Sequence, residues 1–198
     1  MMTAIDAVRS VHHRIFGSLE RVADAWLLGL LARFAFAAVL WMYFLNSAQT
    51  KVGDGLFGFF SIQPGAYYQI AYPAVEAANG DIGAVPFFPW GLMVVLGTYA
   101  EFILPLLIVI GLFSRLAALG MIGFIAVQTF VDITVHQIGA EAVGTIFDRL
   151  PDAVIADQRL LWVVPLAVVV LKGPGLLSVD VILGRRRDNT ASAMHARA

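Results

Sequence analysis

Hydrophobic residues gather into four runs along this chain, Leu27–Leu45, Trp90–Gly111, Leu116–Val131 and Leu160–Leu171, separated by segments rich in polar residues, glycine and proline. A helix needs about 20 residues to cross about 30 Å of hydrocarbon, so the first three runs predict membrane-spanning helices. The fourth run rises only about 18 Å as a helix. It is expected to recruit its polar flanks or to thin the bilayer locally. Backbone groups facing lipid have no partners but one another, and the many alternating segments of a barrel are absent, so every span is expected to be helical. The predicted fold is an all-α integral membrane protein: a four-transmembrane-helix bundle with two sizeable extracytoplasmic loops.

The links between runs refine this expectation. Gly111-Leu-Phe-Ser-Arg115 is short enough to force an antiparallel hairpin, with Gly111 suited to a left-handed cap and Ser114 to capping the next helix. Residues 1–26 read as an amphipathic cytoplasmic segment, 27–183 as the membrane domain and 184–198 as a basic tail, disordered from Arg185 onward. The basic start (Arg9, Arg14, Arg21) precedes an apolar run too long for a signal-peptide core, so the first span is expected to stay as an anchor. Basic residues cluster at the amino terminus, at Arg115 and after Lys172, whereas segments 46–89 and 132–159 hold only Lys51, Arg149 and Arg159. Both termini are therefore expected on the cytoplasmic side of a bacterial inner membrane, with the two longer segments outside.

Composition agrees with the pattern. Sixty per cent of the residues are hydrophobic and 14% charged, and the mean hydropathy is +0.81, beyond the roughly 45–50% apolar content of soluble domains. The net charge of −1 gives no nucleic-acid footprint. No cysteine is present, which excludes disulfides, thiolate metal sites and intrinsic dithiol chemistry. Neither a metal nor a covalent cofactor is predicted.

The candidate chemistry lies where charge interrupts the apolar runs. Glu101 stands in the second run and Arg33 in the first. Glu101 falls about 15 Å and Arg33 about 9 Å from the same inner surface. Intramembrane ionisable residues are rare, face inward and pair, so the two are expected to meet. Two readings of Glu101 stand: a register-fixing pair or a hydrogen bond to Tyr43 or Tyr99, and a proton acceptor or ligand anchor beside an apolar pocket. Gln128, Asp132 and His136 follow one another at i, i+4, i+8 and share a face if the third helix continues that far. Opposite them the first helix ends in Trp41, Tyr43, Asn46, Gln49 and Lys51. These sets can line one polar vestibule, as interface anchors or, through Asp132 and His136, as a proton relay. Gly53–Gly58 matches GxGxxG, but no strand precedes it, so it reads as a flexible loop and not as a dinucleotide site. His12 and His13 sit in a basic stretch that meets lipid head groups.

Arg33, Ser47 with Lys51, Ala100-Glu101, the stretch GLFSRL from Gly111 to Leu116, and GPGLLSVD from Gly173 to Asp180 together resemble the DoxX family of small four-helix bacterial membrane proteins. The resemblance covers roughly 27–183. It implies a membrane partner of a redox or metal-stress system, such as a subunit of a quinone-linked oxidoreductase. On that basis Glu101, Arg33 and Lys51 would hold or protonate a quinone head group, with electrons supplied by a soluble or membrane partner. A non-enzymatic accessory recruiting a partner through its outer loops is the alternative. A small-solute carrier is disfavoured because the two halves share neither length nor motif. Asn46 stands where simpler members of the family carry a histidine, which leaves direct catalysis open.

Overall fold

A computed structural model of the chain describes residues 4–184. The basic tail expected from Arg185 onward lies outside them. Among the described residues every regular element is a helix, without a β-strand. Helix α1 (Ala4–Val22) is followed by α2 (Leu28–Gln49), short helices α3 (Pro64–Ile70) and α4 (Tyr72–Ala77), then α5 (Phe87–Ile110), α6 (Ser114–Thr134) and α7 (Ala156–Lys172). Three of these, α2, α5 and α6, are long and apolar enough to cross a membrane. Where a fourth span was expected stands α7, which is not among them; its 17 residues carry Asp157 and Arg159 in the first turn and end at Lys172.

The main core forms where α2, α5, α6 and α7 meet. Helix α2 buries Ala32, Phe36, Leu40, Phe44 and Ala48. A strict spacing of four drifts by about 40° per step in an α-helix. The π-helical turn at Ala37–Trp41 carries more residues per turn and offsets that drift, keeping the row on one face. Helix α5 buries Val94, Thr98, Glu101, Pro105 and Ile108, the alternating four-three spacing of a packed helix stripe. Glu101 thus occupies a core position. Pro105 lacks an N–H, so the helix loses at Glu101 the bond that would otherwise close on its backbone carbonyl. Met121 and Ile125 of α6 and Leu166 and Val169 of α7 complete the cluster.

Segment 50–86 folds as a small cap. Ala66, Ala71, Ala74, Val75 and Val85 form a second core against Val94 of α5, and the Tyr99 hydroxyl donates to the Phe59 carbonyl at 2.9 Å. The glycines of the GxGxxG match close this cap on itself. Gly53 N–H donates to the Gly58 carbonyl at 2.9 Å, and a Cβ on Gly58 would lie 2.3 Å from the Gly53 carbonyl carbon. Close backbone approach is what requires glycine there.

At the opposite end, α5 closes as its sequence suggests. Gly111 adopts φ 73°, and Leu112 N–H reaches back to the Leu107 carbonyl at 2.9 Å, the bonding of a Schellman cap. The cap of α6 differs from expectation. Phe113, in the left-handed region, precedes the helix, and the capping group comes from far along the chain. Asp180 accepts from Phe113 N–H at 2.7 Å, Ser114 N–H at 2.9 Å and the Ser114 hydroxyl at 2.7 Å. Its own N–H donates to the Gly111 carbonyl at 2.9 Å. The GLFSRL and GPGLLSVD stretches are two halves of one clasp.

Candidate functional site

The expected Arg33–Glu101 pair is not formed. Arg33 is drawn instead into the clasp, where Nε donates to the Ile108 carbonyl at 2.9 Å and Nη1 to the Pro174 and Leu177 carbonyls at 3.0 and 2.6 Å. Nη2 donates to the Val109 carbonyl. The last carbonyls of α5 have no intrahelical donors and carry the negative end of the helix dipole, so a guanidinium with five N–H groups satisfies several of them at once. Arg33 is structural here.

Glu101 pairs with Lys51. The Lys51 ammonium lies 2.8 Å from Glu101 Oε2, and both side chains are buried, 3% and 7% exposed. Lys51 follows the end of α2, and its stem folds back along the last turn. Its two other protons go to the Ser47 carbonyl at 3.1 Å and the Ser47 hydroxyl at 2.8 Å. All three ammonium donors are thereby used. The alternative phenol partners are engaged elsewhere: Tyr99 on Phe59, and Tyr43 with Gln128, whose Nε2 donates to the Tyr43 oxygen at 3.1 Å.

The ion pair lies on the wall of a cavity of about 630 Å³, within the roughly 300–1,000 Å³ of small-molecule sites. Tyr43 and Ser47 of α2, with Lys51 just beyond it, form one wall, Met93, Leu96, Gly97, Ala100, Glu101 and Leu104 of α5 a second, and Gly120, Gly123, Phe124, Val127, Gln128 and Val131 of α6 a third. Gln69 and Ile70 of α3 bound it on the cap side. Most of this surface is aliphatic or aromatic, as a lipid-soluble molecule requires. Tyr43, Ser47 and Lys51 recur every four residues, as do Gln128, Asp132 and His136 across the cavity, with Lys51 and His136 reaching it from just beyond the ends of α2 and α6.

Of the residues singled out from sequence, Glu101, Lys51, Tyr43, Gln128, Asp132 and His136 line this cavity. Arg33 does not, and Asn46 is exposed, about 100° round the helix from the neighbouring Ser47. Helix α6 ends at Thr134, so His136 stands beyond it, with Nε2 3.1 Å from the Gln69 carbonyl oxygen. Sequence reasoning missed Arg159. Its guanidinium pairs with Asp132, donates to Thr129 Oγ1 at 2.7 Å and lies 6.0 Å from the Trp162 ring centre. Asp132 is therefore held by a cation, and the contact His136 makes is to the cap.

Among the described residues no group of three or more His, Cys, Asp or Glu side chains could hold a metal ion. No family model matches the chain. No curated protein and no solved structure is significantly similar to it.

Proposed function

We propose that this protein is a DoxX-like membrane subunit of a quinone-linked oxidoreductase or redox-stress system, and that its cavity holds a quinone head group against the Lys51–Glu101 pair. The supporting observation is a buried ion pair on the wall of a largely apolar cavity. Such a pair is an expensive way to stabilise a fold, since desolvation offsets much of the attraction. Beside a bound head group it has a use: as a carbonyl oxygen gains charge, Lys51 can turn toward it a hydrogen bond otherwise given to Ser47 while staying paired with Glu101. The redox chemistry belongs to the quinone and to a partner that delivers electrons.

We read α7 as the fourth span, extended by its charged ends. The inner-membrane orientation with both termini cytoplasmic gains support from the fate of two cations. Lys51 and Arg159, counted on the outer side, are 2% and 6% exposed and turn inward, leaving Arg149 as the basic residue of those segments that faces outward, which sharpens the basic asymmetry. The accessory reading has its own support in the cap, where Phe57 and Phe60 are 90% and 75% exposed and offer a partner an aromatic surface.

Mass spectrometry of small molecules retained in native nanodiscs tests the quinone reading. The unaltered protein is expected to retain quinone at close to one per chain, and Glu101→Gln to lose most of it. Retention no higher than in empty discs would leave the pair as interior packing and favour the accessory role.

A further inference from the structure

We propose that the cavity is filled sideways from the bilayer by an electrically neutral, lipid-borne amphiphile that passes between α5 and α6 over Gly123. This rests on the ligand-binding reading above but not on the ligand being a quinone.

The portal follows from how the α5–α6 hairpin packs. Near its turn the two helices are in close contact, and a Cβ on Gly120 would lie 3.2 Å from Leu104 Cδ2. One turn further from the link the contact opens. A Cβ on Gly123 would meet nothing within 4 Å, and Gly97 and Ala100 face the same cavity from α5. Met93, Leu96 and Val127 flank the opening and are 41%, 61% and 57% exposed. Both helices belong to the set able to cross a membrane, so the medium outside this gap is lipid, and a molecule entering there is already dissolved in it.

The charges select what can stay. Both acids on the cavity wall already hold a cation: Glu101 holds Lys51, and Asp132 holds Arg159. With the cavity empty Lys51 gives its other two protons to Ser47, so only a ligand that leaves the ion pair intact can draw on them. An anionic head would have to break the Lys51–Glu101 pair, and a cationic one would compete with Lys51 and Arg159 for acids already neutralised. Leaving either partner buried and unpaired is strongly unfavourable. A neutral head that accepts or donates hydrogen bonds avoids that cost, and the aliphatic walls take its tail.

The test uses the full chain in nanodiscs with two probes, neutral decylubiquinone and the permanent anion hexadecanesulfonate, and the series Gly123→Ala, Gly123→Leu and Gly123→Trp. Gly123→Ala is expected to bind decylubiquinone like the unaltered protein, Gly123→Leu more weakly and Gly123→Trp at least tenfold more weakly, all with unchanged thermal unfolding. The sulfonate is expected to show no enrichment over empty discs. Unchanged binding by Gly123→Leu and Gly123→Trp, or enrichment of the sulfonate, would overturn the proposal. So would a change in oligomeric state in Gly123→Trp, which would mean that the gap seats a helix. Loss of quinone in Glu101→Gln with full retention in Gly123→Trp would remove the portal and keep the quinone reading. Uptake of a neutral long-chain alcohol but not of decylubiquinone, blocked by Gly123→Trp, would do the reverse.

Discussion

Glu101 was legible as a lone acid in an apolar run, and its partner was not. Depth arithmetic favoured Arg33 because it treats a side chain as reaching toward the nearest opposite charge. The guanidinium found a better site in the under-bonded carbonyls at the end of α5, whereas Lys51, read at the outer end of the first helix, folds back along the last turn of that helix to reach the acid. A measurable consequence is the pattern of coupling. Lys51→Ala and Glu101→Ala are each expected to cost about 3 kcal/mol, since each leaves a buried charge unpaired. Their double variant should fall short of the sum by at least about 1 kcal/mol, while Arg33→Ala and Glu101→Ala should add within about 0.5 kcal/mol. Unfolding of the three single and two double variants in detergent or bicelles checks this. Coupling between Arg33 and Glu101 that exceeds that between Lys51 and Glu101 would place the acid in the wrong pair. The i, i+4, i+8 row of Tyr43, Ser47 and Lys51 could have been found from sequence, because the same interval had already marked Gln128, Asp132 and His136. Counting Asn46 in its place put one position on the wrong face.

The elements were legible in proportion to how local their causes are. Apolar runs of sufficient length set α2, α5 and α6 to within a few residues, and a glycine four residues from an arginine marked the hairpin turn. What could not be read was anything closed by distant chain: how α3 and α4 assemble the cap, the π turn at Ala37–Trp41, and Asp180 supplying the N-terminal cap of α6 from 66 residues away. Local pattern suggested Ser114 as the cap, but Ser114 is the side chain being held. Replacing Asp180 with Ala removes three hydrogen bonds and a negative charge from a helix N-terminus. The expected loss is about 1–2 kcal/mol of stability, with ligand retention unaltered because the clasp lies at the far end of the bundle from the cavity mouth. Thermal unfolding together with quinone retention measures both. A stable variant that loses ligand would show that the clasp shapes the cavity.

For the molecule as a whole, the resemblance motifs resolve into two clusters with different tasks. Arg33, Gly111–Ser114 and Gly173–Asp180 tie the ends of three helices and the carboxy-terminal segment together, while Ser47, Lys51 and Glu101 stand on the cavity. A clasp at one end and a hairpin whose contact opens away from its turn suit the lipid-accessible interior proposed above. The sequence contained both clusters, but only the fold separates the arginine that holds carbonyls from the lysine that holds the acid. The most direct measurement is photolabelling with an azido-quinone in nanodiscs, followed by peptide mapping. Labels are expected within residues 93–104 and 120–131, and unlabelled quinone should suppress them. Labelling spread over outward apolar residues such as Phe34 and Leu116, unaffected by competitor, would contradict a quinone site in this cavity.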